Sequence, residues 1–223
     1  MAPCLLCSSE HGEQLEGLDI ESCRDCEPHA RQSVHMFEAH VKRCQLQSFS
    51  FDYYMHGLVE EVGEVFEAVR AHLQVTSKLS DSVATVFTER SGEQDAVLYE
   101  LGDVLWYMTS LSMEVGAVLA MPEVWPEKNQ GLGGPVVPAI EPEVLMMACV
   151  AKLSGRVKKS LRGDKPLQDF APAMKEHRDE LLGLCAMVAA NHGATLQRCA
   201  DMNVKKLSGR FDRGSVQGDG DKR

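Results

Sequence analysis

The chain has 223 residues, of which 44% are hydrophobic, and a formal net charge of -10. This length and apolar content support a sizeable core in one large domain or two small ones. The acidic balance argues against a broad nucleic-acid surface, which would gather lysine and arginine. No apolar run approaches the roughly 20 residues of a membrane span, and the N-terminus matches neither a secretory signal nor a transit peptide. We therefore expect a cytoplasmic protein with no membrane or nucleic-acid partner.

The N-terminal segment, residues 1–45, is acidic and contains cysteine, and its first part shows no clear hydrophobic period. Two CxxC pairs separated by fifteen residues stand in it, formed by Cys4, Cys7, Cys23 and Cys26. This spacing is typical of a four-thiolate Zn²⁺ site. The glycine that usually follows the second cysteine of each pair is missing. The alternative, a tail with four unused thiols, therefore stays open.

Hydrophobic periodicity predicts helices over most of the remaining chain. Apolar residues recur at helical spacing over 50–74, and a second helix is predicted from Val97 to a stop at Gly116. The stretch 76–93 between them is interpreted as a polar connection.

A linker rich in proline and glycine is predicted over 121–142. Three more helices are predicted beyond it, over 144–162, 173–191 and 194–210. No stretch shows sustained strand alternation, so the predicted fold class is an all-α helical bundle.

The second half of the chain resembles a divergent copy of the first. The segment MACVAKLSGRVKKSLRG aligns with MHGLVEEVGEVFEAVRA, and DELLGLCAMVAANHG aligns with GDVLWYMTSLSMEVG. In this register Lys152, Leu153 and Arg156 occupy the places of Glu60, Glu61 and Glu64. The sequence therefore predicts two tandem units in a pseudo-dimer, an acidic unit over 46–120 and a degenerate unit with a basic tail over 143–223.

Two short acidic motifs lie on the first two predicted helices. Residues three or four apart share a helix face, so Glu60, Glu61 and Glu64 are neighbours, and Glu100 and Asp103 are one turn apart. Gly63 and Gly102 each cost a helix about 1 kcal/mol relative to alanine, so we expect the two helices to cross closely there. Converging carboxylates call for a hard divalent cation. The alternative is an ordinary solvated acidic face.

The order EExxE followed by ExxD resembles the signature of the MazG-like, all-α nucleoside triphosphate pyrophosphohydrolases, relatives of the dimeric dUTPases. The resemblance implies Mg²⁺-dependent hydrolysis, with Mn²⁺ as a substitute, of a nucleoside triphosphate substrate to the monophosphate and pyrophosphate. It implies the following residues: Glu61, Glu64, Glu100 and Asp103 as metal ligands, Glu60 and Glu61 as catalytic groups, and Asn203, Lys206 and Arg210 as substrate contacts. For Lys206 and Arg210 the alternative is a favourable interaction with the helix C-terminal dipole.

Several alternatives remain at this point. Six aromatic residues are candidates for stacking on a base or for the core: Phe49, Phe51, Tyr53, Tyr54, Trp106 and Tyr107. The sequence does not distinguish among bases or sugars, and it leaves a homodimer through a remaining apolar face open. The alternative to an enzyme is a catalytically inactive scaffold or regulatory protein of the same family with a zinc-binding N-terminal segment.

Overall fold

The computed structural model describes residues 30–45, 49–77, 83–116, 119–126 and 141–213. The predicted zinc site at Cys4, Cys7, Cys23 and Cys26 lies outside these residues, as do residues 127–140 of the predicted linker. That zinc site therefore stays a prediction.

The described residues form six α-helices and no strand, which confirms the all-α fold. The helices are α1 (Ala30–Cys44), α2 (Phe51–Ser77), α3 (Val83–Val115), α4 (Pro142–Leu161), α5 (Ala171–Asn191) and α6 (Leu196–Asp212), with a short 3₁₀ helix at Leu167–Phe170. None of the helices in the described part of the chain is both long and apolar enough to cross a membrane.

Two helix ends show why glycine was a reliable signal in the sequence. After α3, Gly116 has a φ of 81°, and its backbone N–H donates to the carbonyl of Ser112 at 2.9 Å. After α5, Gly193 has a φ of 69° and donates to the carbonyl of Ala190 at 3.1 Å. Side chains with a Cβ rarely adopt this left-handed conformation. The predicted stop at Gly116 is therefore confirmed, and α5 ends at Asn191, as the range 173–191 predicts.

The helices pack as two pairs around one continuous hydrophobic core. Helix α2 lies along α3, α4 lies along α5, and the pairs join where α2 contacts α4. Helix α6 packs on α3, and α1 contacts both α6 and α3. Leu58, Leu101, Leu105, Leu153 and Leu181 are fully buried in this core. The position of α6 matters most for function, because it brings the end of the chain against the acidic helix α3.

Two features differ from the prediction. Helix α3 begins at Val83 and not at Val97, so most of the predicted polar connection is helical. No proline interrupts 83–115, and a polar composition alone does not end a helix. The predicted starts and ends of the other helices differ from the observed ones by up to three residues, as is usual for fraying helix ends.

Helix α1 lies in a region for which no helix was predicted. Its residues Val34, Phe37 and Val41 are buried at spacings of three and four, which is the helical period. Phe37 also packs edge-on against Trp125, with ring centroids 5.6 Å apart. Three apolar residues at helical spacing, next to the acidic segment, are a weak signal for a helix.

Candidate active site

Three carboxylates from two helices converge at the centre of the site. Glu61 comes from α2, and Glu100 and Asp103 come from α3. One oxygen from each lies within 4.8 Å of the others. The ExxD spacing places both α3 acids one turn apart on the same face, and the packing of α2 along α3 brings Glu61 to them. The predicted convergence of the two acidic motifs is therefore present for these three residues.

The electrostatics of Glu61 show how crowded the site is. The pKa of this carboxyl is raised to about 9, first by burial and then by the charges of Asp103, Glu64 and Glu100, against a lowering effect of Lys206. Among the described residues, the buried oxygen Oε2 of Glu61 has no hydrogen-bond partner. A buried oxygen of this kind is unfavourable unless a proton or a cation satisfies it.

Two residues of α6 contact Asp103. The side-chain amide of Asn203 donates from Nδ2 to Oδ1 at 2.5 Å, and the ammonium of Lys206 forms an ion pair with Oδ2. Only 11% of the Lys206 side chain and 16% of the Asp103 side chain are exposed. Lys206 also lies 5.9 Å from the ring centroid of Tyr99. Two of the three predicted substrate-contacting residues are thus beside the carboxylates.

The close approach that Gly102 permits is between α3 and α6. A Cβ added at Gly102 would lie 2.7 Å from the carbonyl oxygen of Cys199 and 2.9 Å from Cβ of Asn203. At Gly63 an added Cβ would meet nothing within 4 Å. The expectation that the missing side chains of Gly63 and Gly102 let α2 and α3 approach each other is therefore wrong, although the two helices do pack together. The glycine of the ExxD motif makes room for the helix that carries Asn203 and Lys206.

The remaining predicted site residues occupy different positions. Glu60 and Glu64 are exposed on α2. Glu64 does not belong to the group formed by Glu61, Glu100 and Asp103, but its charge raises the pKa of Glu61. Arg210 is buried and follows Lys206 by four residues on α6, which is about one helical turn. Their predicted roles stay predictions.

Aromatic side chains border the carboxylates. Tyr53 and Phe49 are stacked, with centroids 4.1 Å apart, and the Tyr53 ring is 6.5 Å from that of Tyr107. Burial is the largest cause that raises the pKa of the Tyr107 hydroxyl above its usual value, and the nearby Tyr53 and Glu61 raise this pKa as well. Tyr54 is fully buried in the core.

Two residues beside the site were not predicted from the sequence, Tyr99 and Gly57. Tyr99 was missed because its partner Lys206 lies on another helix far along the chain. Gly57 was missed because a single glycine in a helix does not reveal what packs on it. A Cβ at Gly57 would lie 2.1 Å from the Tyr107 ring.

The donor set indicates the kind of ligand that this site suits. Lys206 pairs with Asp103, and the charges of Asp103 and Glu100 raise the pKa of Glu61, so the three carboxylates repel one another when all are ionised. The atoms that these three carboxylates offer to a metal are all oxygens, and Mg²⁺ and similar hard cations prefer oxygen ligands. The orphaned Oε2 of Glu61 is consistent with the same ligand class.

Comparison with known proteins identifies one region of the chain. No curated protein and no solved structure matches the chain. Residues 49–120 match the family model of the MazG nucleotide pyrophosphohydrolase domain. That range contains Glu61, Glu100 and Asp103, whereas Asn203 and Lys206 lie outside it. Residues 49–120 are therefore similar to the MazG nucleotide pyrophosphohydrolase domain.

Proposed function

We propose that the protein hydrolyses a nucleoside or deoxynucleoside triphosphate to the monophosphate and pyrophosphate, with Mg²⁺ as its metal and Mn²⁺ as a substitute. The observation that carries the proposal is the group of Glu61, Glu100 and Asp103 within the matched domain, with Lys206 beside it. In this reaction a water oxygen bonds to the α-phosphorus. The bond from that phosphorus to the oxygen bridging to the β-phosphorus breaks, and pyrophosphate leaves.

The metal ligands would be Glu61, Glu100 and Asp103, with Glu64 close enough to join them through a change of rotamer or through a water. Bound there, Mg²⁺ would screen the phosphate charge and lower the pKa of the attacking water. The other contributions come from the chain. Asn203 holds Oδ1 of Asp103 in place and so orients this carboxylate.

Lys206 and Glu60 have separate proposed roles. The Lys206 ammonium contributes a positive charge next to the carboxylates, where a polyphosphate would lie. Glu60, exposed one position before Glu61, is proposed to orient the attacking water. The border formed by Phe49, Tyr53 and Tyr107 offers aromatic surface for a nucleobase.

The test is pyrophosphate release from a panel of canonical and modified deoxynucleoside triphosphates in the presence of Mg²⁺. The wild type is compared with Glu64→Gln and Asp103→Asn, which remove a charge and keep the side-chain shape. Glu67→Gln is the matched control, because Glu67 is also exposed on α2 and lies outside the motif. Circular dichroism verifies that each variant is folded.

We expect Asp103→Asn to lower turnover by at least about a hundredfold, because it removes a charged ligand of the metal that would stabilise the charge developing in the transition state, and Glu64→Gln to lower it substantially. Glu67→Gln should keep wild-type turnover. Equal turnover by all four proteins would remove the carboxylates from the mechanism. A wild type that turns over none of the substrates would favour the scaffold alternative.

A further inference from the structure

A second cluster of potential ligand side chains lies between α4 and α5, within the predicted degenerate unit. It consists of Cys149 on α4 and of His177 and Glu180 on α5. One donor atom from each residue lies within 4.8 Å of the others. No residue of this cluster belongs to the proposed active site.

The predicted internal repeat relates this cluster to the carboxylates of the first unit. The register that places Gly193 under Gly116 also places His177 under Glu100 and Glu180 under Asp103. On α4, Leu153 replaces Glu61 and is fully buried. Cys149 precedes Leu153 by four residues, so it lies one turn earlier on the same face. The second helix pair thus carries a different donor set at the place that corresponds to the acidic one.

The contacts within the cluster are compact and incomplete. The Cys149 thiol donates to the backbone carbonyl of His177 at 2.9 Å and lies 3.6 Å from Oε2 of Glu180. Nδ1 of His177 is buried and, among the described residues, has no hydrogen-bond partner; the nearest carboxylate oxygen, on Glu180, is 3.6 Å away. A buried ring nitrogen without a hydrogen bond is unusual and suits a ligand that accepts its lone pair.

We propose that Cys149, His177 and Glu180 form a metal site that binds Zn²⁺. Cysteine sulfur, histidine nitrogen and a carboxylate oxygen are together typical zinc ligands, whereas Mg²⁺ prefers oxygen alone. Three protein ligands leave a fourth tetrahedral position for water. Glu180 is 35% exposed, so an ion can reach the site from solvent.

Binding involves two local changes. Burial and the charge of Glu180 raise the pKa of the Cys149 thiol to about 12, so it is protonated in the absence of metal. The zinc–sulfur bond forms as this proton leaves to solvent. Lys152, which is 52% exposed and 3.6 Å from Glu180, must also turn away. Lys152 therefore competes with the metal for Glu180.

The proposal is independent of pyrophosphatase activity and is tested by metal binding alone. The protein used is the full-length chain with Cys4, Cys7, Cys23 and Cys26 replaced by serine, which removes the predicted N-terminal zinc site. Co²⁺ is added under reducing, anaerobic conditions, and thiolate-to-cobalt charge-transfer absorbance is recorded. The oxygen-only site at Glu61, Glu100 and Asp103 cannot produce this band.

We expect one equivalent of Co²⁺ to produce the band and Zn²⁺ to abolish it by displacing the cobalt. Cys149→Ala should remove the band, whereas the matched control Cys185→Ala should keep it, because Cys185 is an equally buried thiol outside the cluster. His177→Gln should weaken affinity by more than about tenfold, since loss of even an outer-shell partner weakens metal sites by ~10–100-fold. Lys152→Met should strengthen it.

A protein that shows no charge-transfer band, or a band that survives in Cys149→Ala, would overturn the proposal. If circular dichroism shows that Cys149→Ala is unfolded, His177→Gln and Glu180→Gln decide in its place. The side chains of His177 and Glu180 are 12% and 35% exposed, whereas Cys149 is fully buried, so we expect these two positions to tolerate substitution better. Wild-type affinity in both of these variants would equally overturn the proposal.

Discussion

Replacing Gly102 by alanine tests the role that the structure assigns to this glycine. The added methyl group would lie 2.7 Å from the carbonyl oxygen of Cys199. This oxygen belongs to the backbone of α6, so no side-chain rotation relieves the contact. Helix α6 as a whole must move away from α3.

Two opposing terms determine the size of the effect. Alanine in place of glycine stabilises a helix by about 1 kcal/mol, whereas overpacking a well-filled core costs about 1–3 kcal/mol. We expect the free energy of unfolding of Gly102→Ala to fall by about 1 kcal/mol relative to wild type. Gly155→Ala is the matched control, since an added Cβ there meets nothing within 4 Å. It should gain about 1 kcal/mol.

The measurement is urea unfolding of the three proteins, with thermal unfolding as a second probe. A change of 1 kcal/mol corresponds to a shift in Tm of about 2–4 °C for a chain of this size. Pyrophosphate release should fall by about tenfold or more in Gly102→Ala, because displaced α6 takes Asn203 and Lys206 away from Asp103. Gly155→Ala should keep wild-type turnover.

The result that would refute this reasoning is a Gly102→Ala protein that is as stable as Gly155→Ala and as active as wild type. It would mean that α6 does not lie against α3 at this glycine. A variant that is destabilised but fully active would separate the packing role of Gly102 from its effect on the site.

Two further predictions concern the charges of the site. Lys206→Met should destabilise the metal-free protein by about 3 kcal/mol because it removes the buried ammonium that pairs with Asp103 among three converging carboxylates; in urea unfolding, the double variant with Asp103→Asn should recover most of this loss without recovering turnover, and a double variant as unstable as Lys206→Met alone would contradict the ion pair. The raised pKa of Glu61 also predicts how the free energy of unfolding depends on pH when EDTA removes metal ions. This free energy should be highest below about pH 4.5 and should fall as the pH rises towards about 9, because the folded state retains a proton that the unfolded state loses. Urea unfolding at several pH values should show a weaker pH dependence of this free energy for Glu61→Gln and for the wild type in Mg²⁺ than for the wild type in EDTA. The same pH dependence in all three samples would show that Glu61 is not the titrating group.

Local features of the sequence were sufficient to predict most of the helices and the acidic motifs. The apolar period of α2 and the glycines that end α3 and α5 predict the elements correctly, because helical spacing and left-handed glycine depend on neighbouring residues only. The spacing of Glu100 and Asp103 likewise places both on one face without reference to the rest of the chain. The same local reasoning missed α1 and residues 83–96 of α3, where the helical signal is weak.

Only the tertiary structure decided which faces meet. Asn203 and Asp103 are separated by 100 residues, and their hydrogen bond depends on the packing of α6 against α3. The two glycines of the acidic motifs look alike in the sequence, yet one contacts a neighbouring helix and the other faces open space. The grouping of Cys149 with His177 and Glu180 also requires α4 to lie along α5. A helical period determines which side chains share a face, but the partner of that face is set by the packing of the whole chain.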